Sequence, residues 1–451
     1  MNAKYKLPLI LLSALALKNS QAADRNVIFI LTDDYSCGEH GIYGNDVIKT
    51  PNLDTLANES VRFDNFYVGP TSSPTRAQLM TGKHEFSVGV THTMYPRAYL
   101  SLEEKLLPEY FTEAGYSTAH FGKWHLGNDT FDDEYSARAR GFQTSLVSSN
   151  VVHFDPELML DGVKIPYKGY RTDILFDEAQ KWIDEQIDEE NSFFCYLSLN
   201  SAHGPYDCPE EYKEMYRGKL KSETAETYYG MITNIDDNVG ELIAYMKEKG
   251  IYENTILVYM TDNGHVVNEY NAEMRGNKNS QYRGGSRVPC YFHCPDVFEG
   301  GKIVNELGSA RDFLPTILDL CKIKFNTDVE GVSLKPLLLD KKFKYSDRFI
   351  ASHSGRWADG EADNNKYHMC SVQNKKYRLV DNTYLFDIEN DPSETTDIAE
   401  KHPELVAEMK AFFENWWETT RPLMINEERA VREGGSRMSV DDVEFRKKNN
   451  L

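Results

Sequence analysis

The sequence contains little cysteine, a deficit of positive charge and, after its first residues, no long apolar run. Its 7 Cys among 451 residues are few and odd in number, so disulfides are not what holds this fold together. Lys and Arg total 50 against 71 Asp and Glu, which gives a formal charge of −21. This balance argues against a nucleic-acid-binding protein, because phosphate backbones are bound by surplus Lys and Arg. A small anionic substrate is still allowed, since its binding depends on local cations or a metal.

The rest of the composition is that of a large globular protein. Hydrophobic residues make up 40% of the chain and charged residues 27%, which argues against a wholly disordered protein. A length of 451 residues exceeds a single small domain, so it predicts one large core or two fused domains.

Residues 1–22 have the features of an export signal. Lys4 and Lys6 precede the apolar run 7–17, and residues 20–22 are typical of a signal-peptidase site. The run is shorter than the roughly 20 residues of a membrane-spanning helix, and no later run is long enough. The sequence therefore predicts a signal peptide, no membrane span, and an exported protein that is periplasmic or secreted.

Four apolar runs end abruptly in polar residues. The runs occupy residues 26–32, 116–122, 193–199 and 255–261, and the first is continuous rather than alternating, as in a parallel strand covered on both faces. Helical patterns between them predict an α/β fold with a large, mostly parallel sheet sandwiched by helices. Ligands of such sheets bind beyond the carboxyl ends of the strands. The polar residues at these ends are Asp33, Asp34, Lys123, His125, His203, Asp262 and Asn263.

The composition changes after Cys321, which indicates a second structural unit. Two short β-like segments, 377–380 and 384–387, are separated by an Asp-Asn turn, and a helix is predicted to begin near Pro403. Charged residues dominate the end of the chain. After the signal peptide, the predicted divisions are a catalytic α/β domain over 23–325, a smaller C-terminal α+β subdomain over 326–425 and a charged tail over 426–451.

Residues 72–82 form the most informative segment. Pro74 suits the first turn of a helix and Gly82 suits its end. Ser72 would then lie just before the helix N-terminus, where free backbone N–H groups favour an oxyanion. Arg76, one turn further on, can point back at Ser72. Taken alone, the pattern favours a serine that merely caps a short helix.

The same segment matches a known pattern: Ser, any residue, Pro, a small residue, Arg, and later Thr-Gly. It resembles the signature of the formylglycine-dependent sulfatases, members of the alkaline-phosphatase-like superfamily. Other segments that resemble this family are 50–57, 121–127, 312–316, and 384–387 with 391–392. The resemblance implies an alkaline-phosphatase-like fold and a sulfuric ester hydrolase. It also implies that a serine-type sulfatase-maturing enzyme oxidises Ser72 to formylglycine (3-oxoalanine).

The resemblance implies a metal site as well. The residues that match the family's oxygen ligands of one Ca²⁺ are Asp33, Asp34, Asp262, Asn263 and Ser72 as formylglycine. Carboxylate and amide oxygens suit such a hard cation. Together with Lys123, Lys278 and Arg76, calcium would neutralise the sulfate ester and stabilise the charge of the transition state.

The implied reaction has two steps at residue 72. One hydroxyl of the aldehyde hydrate attacks sulfur and forms a covalent sulfate ester, and the other is then deprotonated and expels sulfate. His125 is the expected base, and His203 is the expected acid that protonates the leaving alcohol. These two roles could be exchanged. Lys123, Lys278 and His203 are the expected substrate-binding residues.

One position departs from the family pattern, and two stretches fit a carbohydrate subsite. Arg283 stands where the family often has Glu, shortly before the Arg-Val-Pro at 287–289. This arginine could bind an anionic sugar or pair with an Asp. The aromatic polar stretches at 356–357 and 367–368 could line a sugar subsite or belong to ordinary loops.

Export suits a sulfated polysaccharide or its oligosaccharides as the substrate. Algal polymers such as ulvan or carrageenan, or glycosaminoglycans, fit equally well. Two alternatives stay open. A phosphate ester hydrolase of the same superfamily would keep Ser72 unmodified and use two transition metals, whereas an inactive sulfated-glycan-binding protein would never have Ser72 oxidised.

Overall fold

The computed structural model describes residues 25–127, 133–148, 152–325, 328–340, 342–345 and 347–427. The predicted signal peptide and most of the predicted charged tail lie outside these residues. Within the described parts of the chain, no helix is both long enough and apolar enough to cross a lipid bilayer.

The strands follow one another along most of the chain. They are β1 (Asn26–Thr32), β2 (Val61–Phe63), β3 (Phe66–Tyr67), β4 (Ser117–Gly122), β5 (Thr144–Ser148), β6 (Glu157–Leu160), β7 (Val163–Pro166), β8 (Phe193–Ser198), β9 (Thr255–Thr261), β10 (Cys290–His293), β11 (Lys302–Val304), β12 (Gly308–Ser309), β13 (Ile350–His353), β14 (Cys370–Gln373), β15 (Tyr377–Val380) and β16 (Tyr384–Asp387).

Helices separate most of these strands. The α-helices are α1 (Pro51–Glu59), α2 (Ser72–Thr81), α3 (Leu107–Glu113), α4 (Arg171–Asp188), α5 (Glu210–Glu214), α6 (Glu223–Glu248), α7 (Arg283–Ser286), α8 (Phe313–Leu320), α9 (Lys335–Leu339) and α10 (Pro403–Thr420). Short 3-10 helices occupy Cys37–Glu39, Gly41–Tyr43, Glu85–Val88, Ala310–Asp312, Asp363–Asn365, Ala399–Lys401 and Arg421–Leu423.

A ten-stranded sheet forms the centre, in the order β11-β2-β10-β9-β1-β8-β4-β5-β6-β7. Its five central strands, β9 to β5, are parallel, and the flanking pairs are mostly antiparallel. The position of β1 in the sheet explains why residues 26–32 form a continuous apolar run. Val27, Phe29 and Leu31 pack on one face of the sheet, and Ile28 and Ile30 pack on the other. Because both faces are covered, nearly every position along the strand is buried, and the predicted α/β fold class is confirmed.

A second, four-stranded antiparallel sheet follows the large one in the chain, in the order β13-β14-β15-β16. β15 and β16 form the predicted hairpin, whose turn residues Asp381 and Asn382 have φ values of 48° and 52°. α10 begins at Pro403, as predicted, and packs Met409 and Phe413 into the apolar cluster beside this sheet. The smaller C-terminal α+β unit is therefore present.

The two units share a buried interface. The Phe86 ring, just beyond α2, lies 5.4 Å from Trp357 and 6.0 Å from Trp416 of the C-terminal unit. Asn426, at the start of the predicted tail, donates from Nδ2 to the main-chain carbonyls of Gly89 (3.0 Å) and Tyr99 (2.8 Å). The first residues of that tail therefore pack against the larger unit.

Because of the buried Glu85 in this interface, we expect the free energy of unfolding to depend on pH. Glu85 is fully buried, accepts a 2.6 Å hydrogen bond from Gln78 Nε2, and burial raises its pKa from 4.5 to about 7. As pH rises, the Glu85 carboxyl group loses its proton in the unfolded chain before it does so in the folded chain. The contribution of Glu85 to the free energy of unfolding therefore falls as pH rises from 4.5 through about 7.

Glu85→Gln cannot ionise and should therefore become more stable relative to wild type as pH rises. The gain at about pH 8 over about pH 4 should be roughly 1–3 kcal/mol in the free energy of unfolding, measured by urea denaturation. Glu241→Gln, at an exposed position of α6, is the matched control and should show no such trend. A stability difference that is independent of pH would contradict the assignment.

Candidate active site

Ser72 is the first residue of α2, and its side chain faces the polar strand ends. Its Oγ lies 3.1 Å from Asp33 Oδ1 and 3.1 Å from Asn263 Oδ1. The chain enters the helix from Thr71 in an extended conformation, and the helix ends at Gly82 with φ 69°. Every residue of α2 is buried. The predicted helix is confirmed, and Ser72 lies one residue further inside it than expected.

The carboxylates meet because β1 and β9 are parallel neighbours. Thr32 pairs with Thr261, so the residues that follow, Asp33 and Asp262, emerge side by side. Asp34 takes a left-handed conformation with φ 63°, and its main-chain N–H donates to Asp262 Oδ1 at 3.3 Å. Carboxylate oxygens of Asp33, Asp34 and Asp262 all lie within 4.8 Å of one another.

Each of these carboxylates has a cationic partner. Lys123, directly after β4, hydrogen-bonds to Asp33, and Lys278 hydrogen-bonds to Asp34. Arg76 donates from NH2 to Asp262 Oδ2 at 2.8 Å. The three cations thus balance the three carboxylates, so one further divalent cation would give the cluster a net positive charge suited to an anionic substrate.

The pKa values of the carboxyl groups reflect this arrangement. Burial alone would raise the pKa of Asp33, but Lys123 and the other nearby cations hold it well below its usual value. Burial and the charge of Asp33 raise the pKa of Asp262 to about 6. An added cation would counter this effect by favouring the ionised form of Asp262.

The donor set fits a hard divalent cation. Asp33, Asp34 and Asp262 offer carboxylate oxygens, and Asn263 offers an amide oxygen 3.1 Å from Ser72 Oγ. Asn263 is held there because its Nδ2 donates to Asp34 Oδ1 at 2.9 Å. Oxygen donors without nitrogen or sulfur are the ligands that Ca²⁺ prefers.

Arg76 does not make the contact expected of it. Instead of bonding to Ser72, its guanidinium bonds to Asp262, to the main-chain carbonyl of Lys123 (2.9 Å) and to the hydroxyl of Ser198. It is fully buried, which alone would lower its pKa, but Asp262, Tyr196 and Asp33 together raise it. Arg76 therefore positions Asp262 and the end of β4.

Arg76→Lys should destabilise the protein by about 2–4 kcal/mol, because one ammonium group cannot replace a buried guanidinium that donates to three acceptors. Urea unfolding measures this loss. Arg421→Lys, whose partner Asp363 is exposed, is the control and should change stability by less than about 1 kcal/mol. Equal effects of the two substitutions would contradict the positioning role.

His125 lies close to Lys123 at the end of β4. Its backbone has φ 59°, and its Nε2 lies 2.9 Å from the main-chain carbonyl of Thr93. A carbonyl only accepts, so Nε2 carries the proton and Nδ1 of the neutral ring is an acceptor. Burial and the charges of Lys123 and Arg76 hold its pKa well below the usual value, which keeps this ring neutral.

His203 follows β8, the strand between β1 and β4, and lies beside Asp34. Its Nδ1 lies 2.6 Å from the carbonyl of Gly204, so Nδ1 carries a proton. Its Nε2 lies 3.7 Å from Asp34 Oδ2, and 44% of its side chain is exposed. The two histidines therefore differ: His125 is mostly enclosed, whereas His203 borders the solvent from which a substrate would enter.

Several residues of the site were not expected from the sequence. Ser198, the last residue of β8, donates to the main-chain carbonyl of Lys123 at 2.8 Å, and Tyr228 donates to the carbonyl of Asp34 at 2.8 Å. Ser198 could have been found as a polar residue at the end of a predicted strand. Thr93 could not, because it acts through its main-chain carbonyl.

Arg283 and Tyr367 have partners within the protein. The main-chain N–H of Arg283 donates to Glu394 Oε2 at 2.8 Å, and its guanidinium donates to the carbonyl of Ile388 at 2.9 Å. Tyr367 donates to Glu414 of α10 at 2.7 Å. Arg283 therefore joins the two units: its main-chain N–H bonds to a Glu carboxylate, and its guanidinium bonds to a main-chain carbonyl rather than to an Asp.

All ten predicted site residues are brought to one edge of the sheet. A serine at a buried helix N-terminus, three carboxylates beside it, three cations and two histidines define the class: an alkaline-phosphatase-like hydrolase of anionic esters.

Comparison with known proteins gives the family. A family model described as Sulfatase matches residues 25–323, and one described as N-sulphoglucosamine sulphohydrolase, C-terminal, matches residues 277–418. The chain belongs to the sulfatase family and is a sulfuric ester hydrolase.

Individual relatives agree with this assignment. The chain is 29% identical to the Uncharacterized sulfatase YdeN of Escherichia coli, over 84% of this chain and 79% of that protein. It is 30% identical to the Ulvan-active sulfatase of Formosa agariphila, over 69% of this chain and 65% of that protein. The structure of Ps i-CgsB in complex with k-i-k-neocarrahexaose matches with a TM-score of 0.78 and 25% identity, over 95% of this chain and 98% of that one.

Proposed function

We propose that this sulfatase is exported and removes sulfate from a sulfated polysaccharide or its oligosaccharides, using formylglycine made from Ser72 and one Ca²⁺. The observation that carries the proposal is the position of Ser72 Oγ, 3.1 Å from both Asp33 Oδ1 and Asn263 Oδ1 at a helix N-terminus. That position makes residue 72 both a candidate metal ligand and a candidate nucleophile.

The residues that would hold the metal are Asp33, Asp34, Asp262, Asn263 and Ser72 as formylglycine. When present, Ca²⁺ would polarise the sulfate oxygens and the hydrated formylglycine would supply the attacking hydroxyl. Arg76 keeps Asp262 ionised and in place, through its buried 2.8 Å contact.

Lys123 and Lys278 would bind the sulfate oxygens from two sides. Lys123 comes from the end of β4 and Lys278 from the loop after β9, and each is fixed by an ion pair with a carboxylate of the cluster. Lys278 keeps 20% of its side chain exposed, so it is within reach of a substrate. Fixed cations stabilise the charge of the transition state without reorganising during the reaction.

The histidines would move the protons. His125 has its proton on Nε2, bonded to the Thr93 carbonyl, so Nδ1 can accept a proton from a hydroxyl on residue 72. His203 is more exposed and faces Asp34, so its Nε2 is the better placed to protonate the leaving alcohol of a sugar.

The substrate class follows from the relatives and from the predicted export. One relative is named an Ulvan-active sulfatase, and one similar structure holds k-i-k-neocarrahexaose. Another relative is named an N-acetylglucosamine-6-O-sulfatase, 24% identical over 87% of this chain. These names favour a polymeric or oligomeric sulfated sugar over a small aryl sulfate.

The phosphate hydrolase alternative has less support. Among the described residues, the metal-binding group formed by His, Cys, Asp and Glu side chains is Asp33, Asp34 and Asp262, which suits one hard cation. Lys123 and Lys278 stand beside it, where a second metal would need anionic or neutral ligands.

The test is sulfate release from a panel of defined ulvan, carrageenan and glycosaminoglycan oligosaccharides. The protein is co-expressed with a serine-type sulfatase-maturing enzyme, and phosphate esters are assayed in parallel. We expect sulfate release from at least one oligosaccharide. Preferential phosphate release would favour the phosphatase alternative, and binding without turnover would favour the inactive glycan-binding protein.

Metal removal gives a separate prediction. EGTA should abolish sulfate release and lower the melting temperature, because a ligand bound only by the folded state stabilises it by about 3–4 kcal/mol at 100–1,000 times its Kd. Added Ca²⁺ should restore both properties, and Zn²⁺ should not. Full activity in EGTA, or rescue by Zn²⁺ alone, would contradict the calcium site.

A further inference from the structure

The turn at residues 354–356 contacts two segments that hold or position residues of the site. Ser354 Oγ donates to Asn279 Oδ1 at 2.5 Å, and Asn279 directly follows Lys278. The main-chain N–H of Arg356 donates to the carbonyl of Thr91 at 3.0 Å. Two residues beyond Thr91, the Thr93 carbonyl bonds to His125. The turn therefore spans from the Lys278 side of the site to the His125 side.

This turn is held rigidly. Gly355 and Arg356 both have φ 61°, and a Cβ at Gly355 would lie 2.3 Å from the Thr91 carbonyl oxygen. Trp357, the next residue, is 6% exposed, and its carbonyl accepts a 2.8 Å hydrogen bond from Arg97 NH1. A left-handed conformation costs a non-glycine residue about 1 kcal/mol or more, so packing on both sides fixes the backbone of Arg356.

Arg356, by contrast, is exposed, although the next residue, Trp357, is buried. Within the described residues its guanidinium makes no hydrogen bond or ion pair, although the chain carries an excess of acidic residues. His92 directly follows Thr91, whose carbonyl accepts the N–H of Arg356. Burial and the charges of Arg356 and Arg97 lower the pKa of His92 to about 4. The His92 ring is also oriented, because its Nδ1 accepts a 2.9 Å hydrogen bond from the N–H of Met94.

We propose that Arg356, assisted by His92, binds a second anionic group of the substrate, a carboxylate or a further sulfate on the same or a neighbouring sugar. The planar guanidinium can donate two parallel hydrogen bonds to either a carboxylate or a sulfate. Such a contact would make Arg356 a specificity-determining residue that selects polyanionic glycans over singly sulfated neutral ones. The inference rests on the proposed substrate-binding role of the Ser72 site.

A cation at this place would reduce the repulsion between the acidic protein and an anionic substrate. A polyanionic glycan approaches a protein of formal charge −21, so it needs cations where it is to bind. Lys123 and Lys278 are already paired with carboxylates of the cluster. The Arg356 guanidinium, in contrast, has no hydrogen-bond or ion-pair partner among the described residues and can bind an anion.

The test measures binding in a Ser72→Ala background, so that neither maturation nor turnover affects it. Three oligosaccharides of equal length serve as probes: one singly sulfated and neutral elsewhere, one sulfated with a uronate, and one disulfated. We expect at least one of the doubly anionic probes to bind about tenfold more tightly than the neutral one, and Arg356→Gln to remove that preference. Arg356→Lys should keep part of it.

The control variant is Lys249→Gln. It also removes one positive charge, but Lys249 precedes β9 at the opposite edge of the sheet, where it pairs with Asp184. It should keep the preference for the doubly anionic probes. A loss confined to the disulfated probe identifies a sulfate as the partner, and a loss confined to the uronate probe identifies a carboxylate.

The inference is overturned if Arg356→Gln weakens all three probes equally, leaves them unchanged, or if no probe binds. The proposed function is judged separately, by sulfate release from the matured protein with Ser72 intact. If the matured protein releases sulfate but Arg356→Gln does not change the preference among the probes, the proposed sulfatase function is retained and only the role of Arg356 is rejected.

Discussion

Ser72→Ala is expected to release no detectable sulfate while folding like the wild type. The substitution removes the atom that lies 3.1 Å from both Asp33 and Asn263, and with it the hydroxyl that the proposed function converts to the aldehyde. Loss of a covalent nucleophile lowers kcat by roughly 10⁴–10⁶. The fold should lose no more than about 1–2 kcal/mol, since only one hydroxyl with its hydrogen bonds disappears.

The neighbouring serine provides a matched control. Ser73 is equally buried in the first turn of α2, and its Oγ has no hydrogen-bond partner in the described structure. Ser73→Ala should keep near-normal sulfate release and stability. Normal turnover by Ser72→Ala, or equal loss in both variants, would remove the nucleophile assignment.

His203→Ala is expected to affect sugar sulfates far more than activated aryl sulfates. A general acid contributes roughly 10²–10⁴ to the rate when the leaving group is a poorly acidic alcohol. An aryl sulfate with an acidic phenol leaves without such help. The ratio of kcat on a sugar sulfate to kcat on 4-nitrophenyl sulfate therefore measures the role of His203 directly.

The same ratio separates the two histidines. His125→Ala should slow both substrates alike, because its expected proton transfer occurs after the alcohol has left. His402→Ala, at the start of α10, is the control and should change neither rate. If His125→Ala shows the leaving-group dependence and His203→Ala does not, the two roles are exchanged.

Much of the fold could be predicted because the chain encodes it locally. The run at 26–32 is apolar at every position because Phe29 and Ile30 face opposite, equally covered sides of the sheet. Parallel strands end at one edge, so the polar residues after β1, β4, β8 and β9 had to meet there. The catalytic candidates could thus be placed together without coordinates.

Contacts between residues distant in sequence could not be predicted in the same way. Arg76 bonds to Asp262, 186 positions away, rather than to Ser72 one turn back, because the buried carboxylate requires a counter-charge. Arg283 meets Glu394 across the interface of the two units, 111 positions away. Local periodicity carries no information about either pair.

Contacts made by main-chain atoms could not be predicted from the sequence either. The Thr93 carbonyl fixes the tautomer of His125, yet any residue type could supply it. The same holds for Thr91, whose carbonyl holds the turn with Arg356 against the site. Such contacts depend on the path of the backbone, which only the folded structure specifies.

The most direct test of the account is the mass of the tryptic peptide 63–76, which contains Ser72, measured in the same preparations as sulfate release. The account predicts that active protein contains a form of this peptide lighter by two hydrogens, and that kcat rises in proportion to its fraction. Full activity in protein whose residue 72 is entirely unmodified serine would contradict it.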